Sequence, residues 1–229
     1  MMCCRSCLTL LSLIVLHGLN DIKTPMRIFL LLLFLAMSVV SFAQTDSTKT
    51  NPDLQKAMNI YHTGNYGGAI VSLNKAVEAE PKSSEVYLYY ALCYMGKDDQ
   101  KEAMRSFNKA IELDPKSEQA FKGRGKLKAR MFDYRGSIMD FDRAVEIDSL
   151  YSDAYFNRGL AYFNLRDYEA SISDFTQVIA FNGKDFEAYY ARGKSHFSAG
   201  KKANACKDWS KSAELGFFDA YDVIRMKCN

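Results

Sequence analysis

Similar side chains return every 34 residues along most of this chain. Large aromatic residues form the first column, at Tyr87, Phe121, Tyr155 and Tyr189. Two further columns keep the same interval, one of small residues and one of aromatic residues: Ala91, Gly125, Gly159 and Gly193, then Phe107, Phe141, Phe175 and Trp209. Such a period is typical of stacked structural units, because one short unit cannot bury its apolar face alone.

Each period contains two segments with apolar residues at helical spacing. Five units fit, at about 50–83, 84–117, 118–151, 152–185 and 186–216. In the second unit, residues 85–96 and 101–113 carry the helical pattern, and Asp98 and Asp99 separate them. Pro81 and Pro115 end the second segment of the first two units, because proline cannot continue a helix. The pattern predicts an all-α stack of helix pairs.

The columns resemble the tetratricopeptide repeat. That family has a large and then a small residue in its first helix, an aromatic residue at the turn, and a small–aromatic–small pattern in its second helix. The resemblance covers the chain from residue 50 almost to its end. It implies a right-handed α-solenoid of about five repeats over 53–216, closed by a capping helix in 217–229. It also implies a non-catalytic scaffold that binds a protein or peptide partner and needs no cofactor.

Composition and histidine placement favour binding over catalysis or nucleic-acid recognition. The formal net charge is +3, which is too balanced to indicate a nucleic-acid partner. His17, His62 and His196 are the three histidines, and they lie far apart along the chain. The sequence contains no phosphate-binding loop, nucleophile elbow or zinc-protease motif. We therefore expect no catalytic residue and no metal site, with a hydrolase of unrecognised site as the alternative.

The start of the chain is predicted to be an export leader at 1–43. Arg27 precedes an apolar run from Ile28 to Val40, and small residues follow up to Ala43, as in a secretory signal peptide. Cleavage there would leave Gln44 at the new terminus, followed by a polar linker at 44–52. Met26 is the expected start of translation. These features predict export, to the periplasm of a Gram-negative bacterium. The alternative is an uncleaved leader that anchors an accessory subunit of an envelope complex.

Arginine and aspartate change together in the last three units. The predicted ion pairs are Arg124 with Asp140, Arg158 with Asp174, and Arg192 with Asp208. The first two units lack both members, with Lys56 and Ser72 in one and Tyr90 and Ser106 in the other. We therefore expect partly buried pairs between helices. The alternative is that both columns are solvated.

Two cysteines near the C-terminus are expected to form a disulfide. Gly216 allows the last repeat helix and a capping helix to fold back antiparallel, which brings Cys206 close to Cys228. An exported protein meets an oxidising compartment, where such a bond persists. A redox or metal-binding thiol pair is the alternative. This C-terminal stretch also resembles that of exported repeat proteins of the Bacteroidetes group. Cys93 is expected to be a small core residue.

The resemblance places ligands in a concave groove lined by the first helices. The groove residues that it implies are Tyr61, Leu88, Leu92, Met95, Lys122, Lys126, Arg130, Phe156, Leu160, Phe163, Tyr190, Lys194 and Phe197. Apolar residues rimmed by cations suit an extended peptide or a helix that carries acidic groups. The other interpretation is that several of these side chains pack against neighbouring units. Lys122 and Asn157 fall at carboxylate-clamp positions of chaperone-binding relatives, but Lys126, Glu187 and Ala191 do not match, so we expect no chaperone tail.

Overall fold

The computed structural model of the protein describes residues 51–228, which form eleven helices and no strand. The helices are α1 (Pro52–His62), α2 (Tyr66–Ala79), α3 (Ser84–Gly96), α4 (Gln100–Leu113), α5 (Glu118–Arg130), α6 (Tyr134–Ile147), α7 (Ser152–Asn164), α8 (Tyr168–Phe181), α9 (Phe186–Ser198), α10 (Lys202–Glu214) and α11 (Asp219–Lys227). The predicted leader, its cleavage point and almost all of the linker lie outside the described residues. The predicted all-α repeat fold is confirmed.

Short polar residues start most of the helices. The side chains of Ser83 and Ser117 accept hydrogen bonds from backbone N–H groups at the first turn of α3 and α5. Asp99, Asp133 and Asp167 do the same for the second helices α4, α6 and α8. Each bond satisfies a backbone donor that the helix itself leaves free. The local sequence thus sets where each pair turns, at the same point in each of these units.

Inside each of units three to five, an aromatic ring of the second helix fills a gap opposite a glycine of the first. A Cβ atom added to Gly125 would lie 2.7 Å from the ring of Phe141. One added to Gly193 would lie 2.6 Å from the ring of Trp209. No side chain fits between them, and Phe141 is fully buried. This contact explains why the small and the aromatic columns have the same period.

The first helices of neighbouring units contact each other along one face of the array. The pairs α1 with α3, α3 with α5, α5 with α7 and α7 with α9 all touch in this way. The second helices instead pack mainly against the first helices before and after them. Closer spacing of the first helices makes their face the inner one, so the stack curves around it. This is the face on which the groove residues were predicted.

Arginine–aspartate pairs join helices in the last three units. Arg158 Nε lies 2.9 Å from Asp174 Oδ2, and Arg158 Nη2 lies 2.7 Å from Asp174 Oδ1. Arg124 with Asp140 and Arg192 with Asp208 form the same bidentate contact. The aspartate side chains are almost completely buried, whereas the guanidinium groups are partly exposed. Two parallel bonds fix the orientation of both side chains.

The third nitrogen of each guanidinium reaches back to the second helix of the preceding unit. Arg124 Nη1 donates to Asn108 Oδ1 at 2.7 Å, and Arg158 Nη1 donates to Asp142 Oδ1 at 2.7 Å. Arg192 Nη1 donates to Thr176 Oγ1 at 3.1 Å. One arginine therefore connects three helices and two units. We call this arrangement the arginine clamp. Sequence comparison predicted the pair but not this third contact.

A last helix closes the C-terminal end of the array. Helix α11 packs on α10 through the buried Ala220, with Phe217 and Ile224 beside it. Cys206 and Cys228 are joined by a disulfide across this contact, at a sequence separation of 22. Closing a loop of this size restricts the unfolded chain and contributes about 3 kcal/mol. Cys93 lies buried in the core at the other end, where burial raises the pKa of its thiol to about 11.

Replacing Asp208 with alanine should destabilise the array by about 3–5 kcal/mol, because Arg192 would stay partly buried with Thr176 as its remaining clamp partner. Asp174→Ala should cost less, because Arg158 keeps Asp142 at 2.7 Å. Urea unfolding followed by circular dichroism measures both. If the Asp208→Ala protein unfolds at the parent's urea concentration, the clamp contributes no stability.

Candidate partner-binding groove

The inner face of the array contains a cavity of about 460 Å³ between the second and the fourth units. Most of its lining comes from first helices: Met95, Lys126, Ala129, Arg130, Asn157, Leu160, Ala161 and Asn164, with Tyr134 and Phe141 from α6. Four residues predicted for the groove therefore meet at one place, namely Met95, Lys126, Arg130 and Leu160. We call this cavity the groove site.

Two cations at the groove site are held by acidic residues of the chain. Lys122 Nζ lies 3.0 Å from Asp153 Oδ2 in the next unit, and 4.7 Å from the centre of the Tyr151 ring. Burial alone would lower the pKa of Lys122, but its interactions with Tyr151 and Asp153 raise it. Arg130 Nη2 lies 2.7 Å from Asp98 Oδ1 in the preceding unit. Both cations therefore help to hold neighbouring units together.

Lys126 lies between these two cations without a carboxylate of its own. No salt bridge or hydrogen bond joins its ammonium group to another side chain within residues 51–228. Burial and the nearby charge of Lys122 lower the pKa of Lys126, and Asp153 only partly opposes them. A half-buried cation in this position has an unfilled capacity to bind an anion. Lys126 is therefore the residue at the groove site most suited to a carboxylate of a partner.

Two asparagines at the groove site were missed in the predicted set. Asn157 donates its side-chain amide to the backbone oxygen of Asp153, at 2.6 Å, and Asn164 donates to that of Leu160, at 2.8 Å. Each bond holds the amide on its own helix beside the cavity. Polar amides there can hydrogen-bond the backbone of an extended peptide. Their positions, one helical turn before and one turn after Leu160, were the available signal.

Leu88 does not line the groove, which corrects the prediction for that residue. It is only 7% exposed and belongs to one core cluster with Ala120 and Leu127 of α5. The first helices of units two and three meet at this point, and their contact covers a short aliphatic side chain. The equivalent Lys122 is longer, so its charged end still reaches the surface. Leu92, one turn further on, is only partly buried.

Several predicted aromatic groove residues also serve as packing contacts. Tyr61 is partly buried, and its ring lies 5.7 Å from that of Tyr66 and 5.8 Å from that of Tyr89. Phe156 has its ring 5.4 Å from the buried Phe175, edge to face. Substituting these residues would disturb the fold as well as the inner face, so they are poor probes of binding.

Three predicted residues form a more open region of the inner face towards the C-terminus. Lys194 Nζ lies 5.2 Å above the ring of Phe163. Phe197, which is 36% exposed, lies beside Trp209 and below the ammonium group of Lys227. Tyr190 differs, because Phe217 of the closing segment packs on it at 4.8 Å. Phe163, Lys194 and Phe197 therefore form a separate region of the inner face, and Tyr190 supports the cap.

Acid–base residues of the described chain do not gather into a reactive cluster. Within residues 51–228, no group of three or more His, Cys, Asp or Glu side chains could hold a metal ion. His196 lies 3.7 Å from Asp208, beside the arginine clamp of the last unit. Burial lowers the pKa of His196, although Asp208 opposes the shift. The same part of the chain has no helix that is both long and apolar enough to cross a bilayer.

Two tetratricopeptide-repeat family models match the chain, at residues 61–131 and 152–185. The chain is a tetratricopeptide-repeat protein. Similar solved structures include MamA, at 24% identity and a TM-score of 0.65, with 72% of this chain and 96% of MamA covered. The pilF protein of Pseudomonas aeruginosa is 19% identical, with a TM-score of 0.67 and coverage of 72% and 75%.

YrrB, described as a TPR protein with an unusual peptide-binding site, is 18% identical to this tetratricopeptide-repeat protein. Its TM-score is 0.65, and the match covers 82% of this chain and 97% of YrrB. The TM-scores of these structures show a common fold. No curated protein matches the sequence. Tetratricopeptide-repeat proteins generally bind proteins or peptides and are typically non-enzymatic scaffolds.

Replacing Lys126 with methionine should stabilise the protein by up to about 1 kcal/mol, because the change removes a half-buried charge that Asp153 offsets only in part. Lys122→Met is the matched control one turn earlier, and it should lower stability because Asp153 would lose its partner. Thermal and urea unfolding of both variants provide the measurement. A loss of stability in the Lys126→Met protein would show that this cation has a structural partner.

Proposed function

We propose that this protein is a non-catalytic scaffold that binds an acidic, extended segment of another protein at the groove site. The observation that carries the proposal is Lys126, a half-buried cation with no carboxylate bonded to it among the described residues. Met95 and Leu160 provide apolar surface in the same cavity. A carboxylate of the partner would bind Lys126, while an adjacent apolar side chain would contact Leu160.

The charges around the groove site favour an acidic partner. Lys122 and Arg130 are already paired with Asp153 and Asp98, so Lys126 is the cation near the cavity whose charge no ion pair within residues 51–228 balances. Charges at the rim of an interface mainly raise the association rate, and a desolvated charge in its centre contributes more to affinity and specificity. Lys126 has the central position, and the paired cations are at the rim. Binding should therefore weaken as salt concentration rises.

Two features of relatives and of the chain support a peptide rather than a small molecule. The solved structure of YrrB is described as having a peptide-binding site, and its fold covers most of this chain. The groove site lies on the face formed by the first helices, and Phe163 of α7 and Phe197 of α9 belong to that face outside its lining, so a long ligand can reach them. Asn157 and Asn164 offer amide groups to the backbone of such a ligand.

We also propose that the protein works outside the cytoplasm, in the periplasm of a Gram-negative cell. The leader predicted for residues 1–43 and the Cys206–Cys228 disulfide support this location. Disulfides persist in oxidising compartments and are rare in the reducing cytosol. A retained leader would instead make the protein a membrane-anchored accessory subunit.

Charge reversal at Lys126 should abolish partner capture. Wild-type protein, Lys126→Glu and Lys207→Glu would each be immobilised and exposed to an extract of the native host. Lys207 is an exposed lysine of α10, outside the groove site, so its variant has the same change of charge. Wild type and Lys207→Glu should retain the partner equally, and Lys126→Glu should retain at most about a tenth, measured by quantitative mass spectrometry.

The captured partner must then be bound through an acidic segment. Cross-linking from a photoreactive residue at position 160 should map to a stretch with Asp or Glu, and neutral substitutions there should weaken binding as Lys126→Glu does. Equal capture by all three proteins would refute the groove site. A partner cross-linked through a basic or uncharged stretch would refute the acidic ligand.

Export can be tested on the protein isolated from its host. N-terminal sequencing should give Gln44 as the first residue, from a periplasmic fraction, with Cys206 and Cys228 resistant to alkylation before reduction. A terminus at Met1 or Met26 in the membrane fraction would instead favour the anchored subunit. Reduced cysteines in a cytosolic fraction would contradict export altogether.

A further inference from the structure

A second cavity, of about 550 Å³, lies between the first two units. Its lining comes from α2, α3 and α4 and includes Asn74, Tyr87, Tyr90, Tyr94, Ser106 and Asn108. It shares no lining residue with the groove site. Three tyrosines of one helix face form its wall, and the rings of Tyr90 and Tyr94 are stacked at 6.3 Å. We call this cavity the tyrosine cleft.

The tyrosine cleft occupies the place that the arginine clamp has in later units. Tyr90 is in the column of Arg124, Arg158 and Arg192, and Ser106 is in the column of Asp140, Asp174 and Asp208. Both members of the bidentate pair are therefore absent from the second unit. The shorter Ser106 side chain leaves open space where the later units have a carboxylate.

Two other features that surround the guanidinium in later units remain at the tyrosine cleft, one from the second unit and one from the first. In the last three units the guanidinium lies over the ring one turn earlier, at 5.2 Å for Arg158 over Tyr155 and 5.5 Å for Arg192 over Tyr189. Tyr87 is the equivalent ring of the second unit, and it lines the cleft. Asn74 is the equivalent of Asn108, which accepts a hydrogen bond from Arg124 Nη1. Asn74 accepts instead from the Tyr90 hydroxyl, at 2.7 Å.

The charges of the lining do not oppose a cation. Lys109 Nζ lies 2.8 Å from Glu112 Oε1, and Arg105 Nη1 lies 3.8 Å from Glu102 Oε2, so each lining cation has an acidic neighbour on its own helix. Burial, the neighbouring tyrosines and Glu78 raise the pKa of Tyr90 to about 12. Tyr90 is therefore a neutral phenol at physiological pH and adds no charge to the cleft.

We propose that the tyrosine cleft binds an arginine side chain of a partner protein, in the position that the chain's own arginine has in units three to five. The guanidinium would stack on the ring of Tyr87 and donate hydrogen bonds to the Ser106 hydroxyl and to Asn74. A lysine would bind less well, because its ammonium group has no flat face to stack on the ring and no fixed planar fork of donors. The three later units show how the same walls hold a guanidinium.

The probe for this site is the blocked peptide acetyl-Gly-Arg-Gly-amide, with acetyl-Gly-Lys-Gly-amide as its control. Protein labelled with ¹³C on the tyrosine rings is titrated with each peptide and followed by NMR. The arginine peptide should produce saturable shifts of Tyr87, Tyr90 and Tyr94, and the lysine peptide should bind at least threefold more weakly. Equal binding of the two peptides, or no saturable shift at these tyrosines, would overturn the proposal.

Two variants rebuild the clamp stepwise. Ser106→Asp restores the carboxylate and should bind the arginine peptide at least threefold more tightly. The double variant Tyr90→Arg with Ser106→Asp restores both members, so the chain's own guanidinium should fill the cleft and weaken peptide binding at least tenfold. A double variant that is folded by circular dichroism and still binds like wild type would overturn the proposal. Should it not fold, Tyr87→Ala replaces it and must weaken binding at least threefold.

The groove site provides the control that separates the two proposals. Lys126→Glu should bind the arginine peptide as wild type does, because Lys126 is not part of the tyrosine cleft. If Lys126→Glu changes peptide affinity and the Ser106 variants do not, the arginine binds elsewhere and the cleft is refuted. The result does not depend on whether an acidic partner binds at the groove site.

Discussion

The rest of the array depends on one contact, in which an aromatic ring of a second helix packs against a small residue of the first helix. In units three and five the ring of Phe141 or Trp209 approaches the first helix so closely that a Cβ atom at the facing glycine would collide with it, and in unit four the ring of Phe175 would lie 3.1 Å from such an atom. This fixes the distance and the angle within a helix pair. Pairs of one geometry then stack in one way, which puts all the first helices on the inner face and makes a shared groove possible.

The arginine clamp helps to hold units three to five together, and other contacts hold the first two units together. In units three to five a guanidinium connects two helices of its own unit and one of the unit before. In the first two units tyrosine rings and the Tyr90–Asn74 hydrogen bond take over part of that task. Packed aromatic rings leave more open space than a buried arginine–aspartate pair that is joined by two hydrogen bonds. The tyrosine cleft is a direct consequence of that difference.

Equivalent positions predicted architecture well and surface exposure less well. The period was enough to predict the helix pairs, and the joint change of Arg158 and Asp174 pointed to their contact, because both depend on packing that each unit repeats. Leu88 was assigned to the groove since Lys122 and Phe156 share its column, yet side-chain length decides which of them reaches solvent. That Lys126 has no bonded carboxylate within residues 51–228 could not be predicted, because ion pairs between units depend on the curvature of the stack. The tyrosine cleft could not be predicted, because the volume of a cavity does not follow from a pattern of residue types.

The inner face also constrains what a partner segment can look like. Leu92, Lys126, Leu160 and Lys194 occupy one column, so successive first helices present an apolar residue and a cation in alternation. Leu160 and Lys194 are exposed. Lys126 lines the groove site, which lies between the second unit, where Leu92 is, and the fourth unit, where Leu160 is. A segment that runs along the groove therefore meets apolar surface, positive charge, apolar surface and positive charge in order. Acidic residues separated by apolar ones satisfy that order, whereas a uniformly acidic stretch would place carboxylates against Leu160 and lose solvation without gaining a partner.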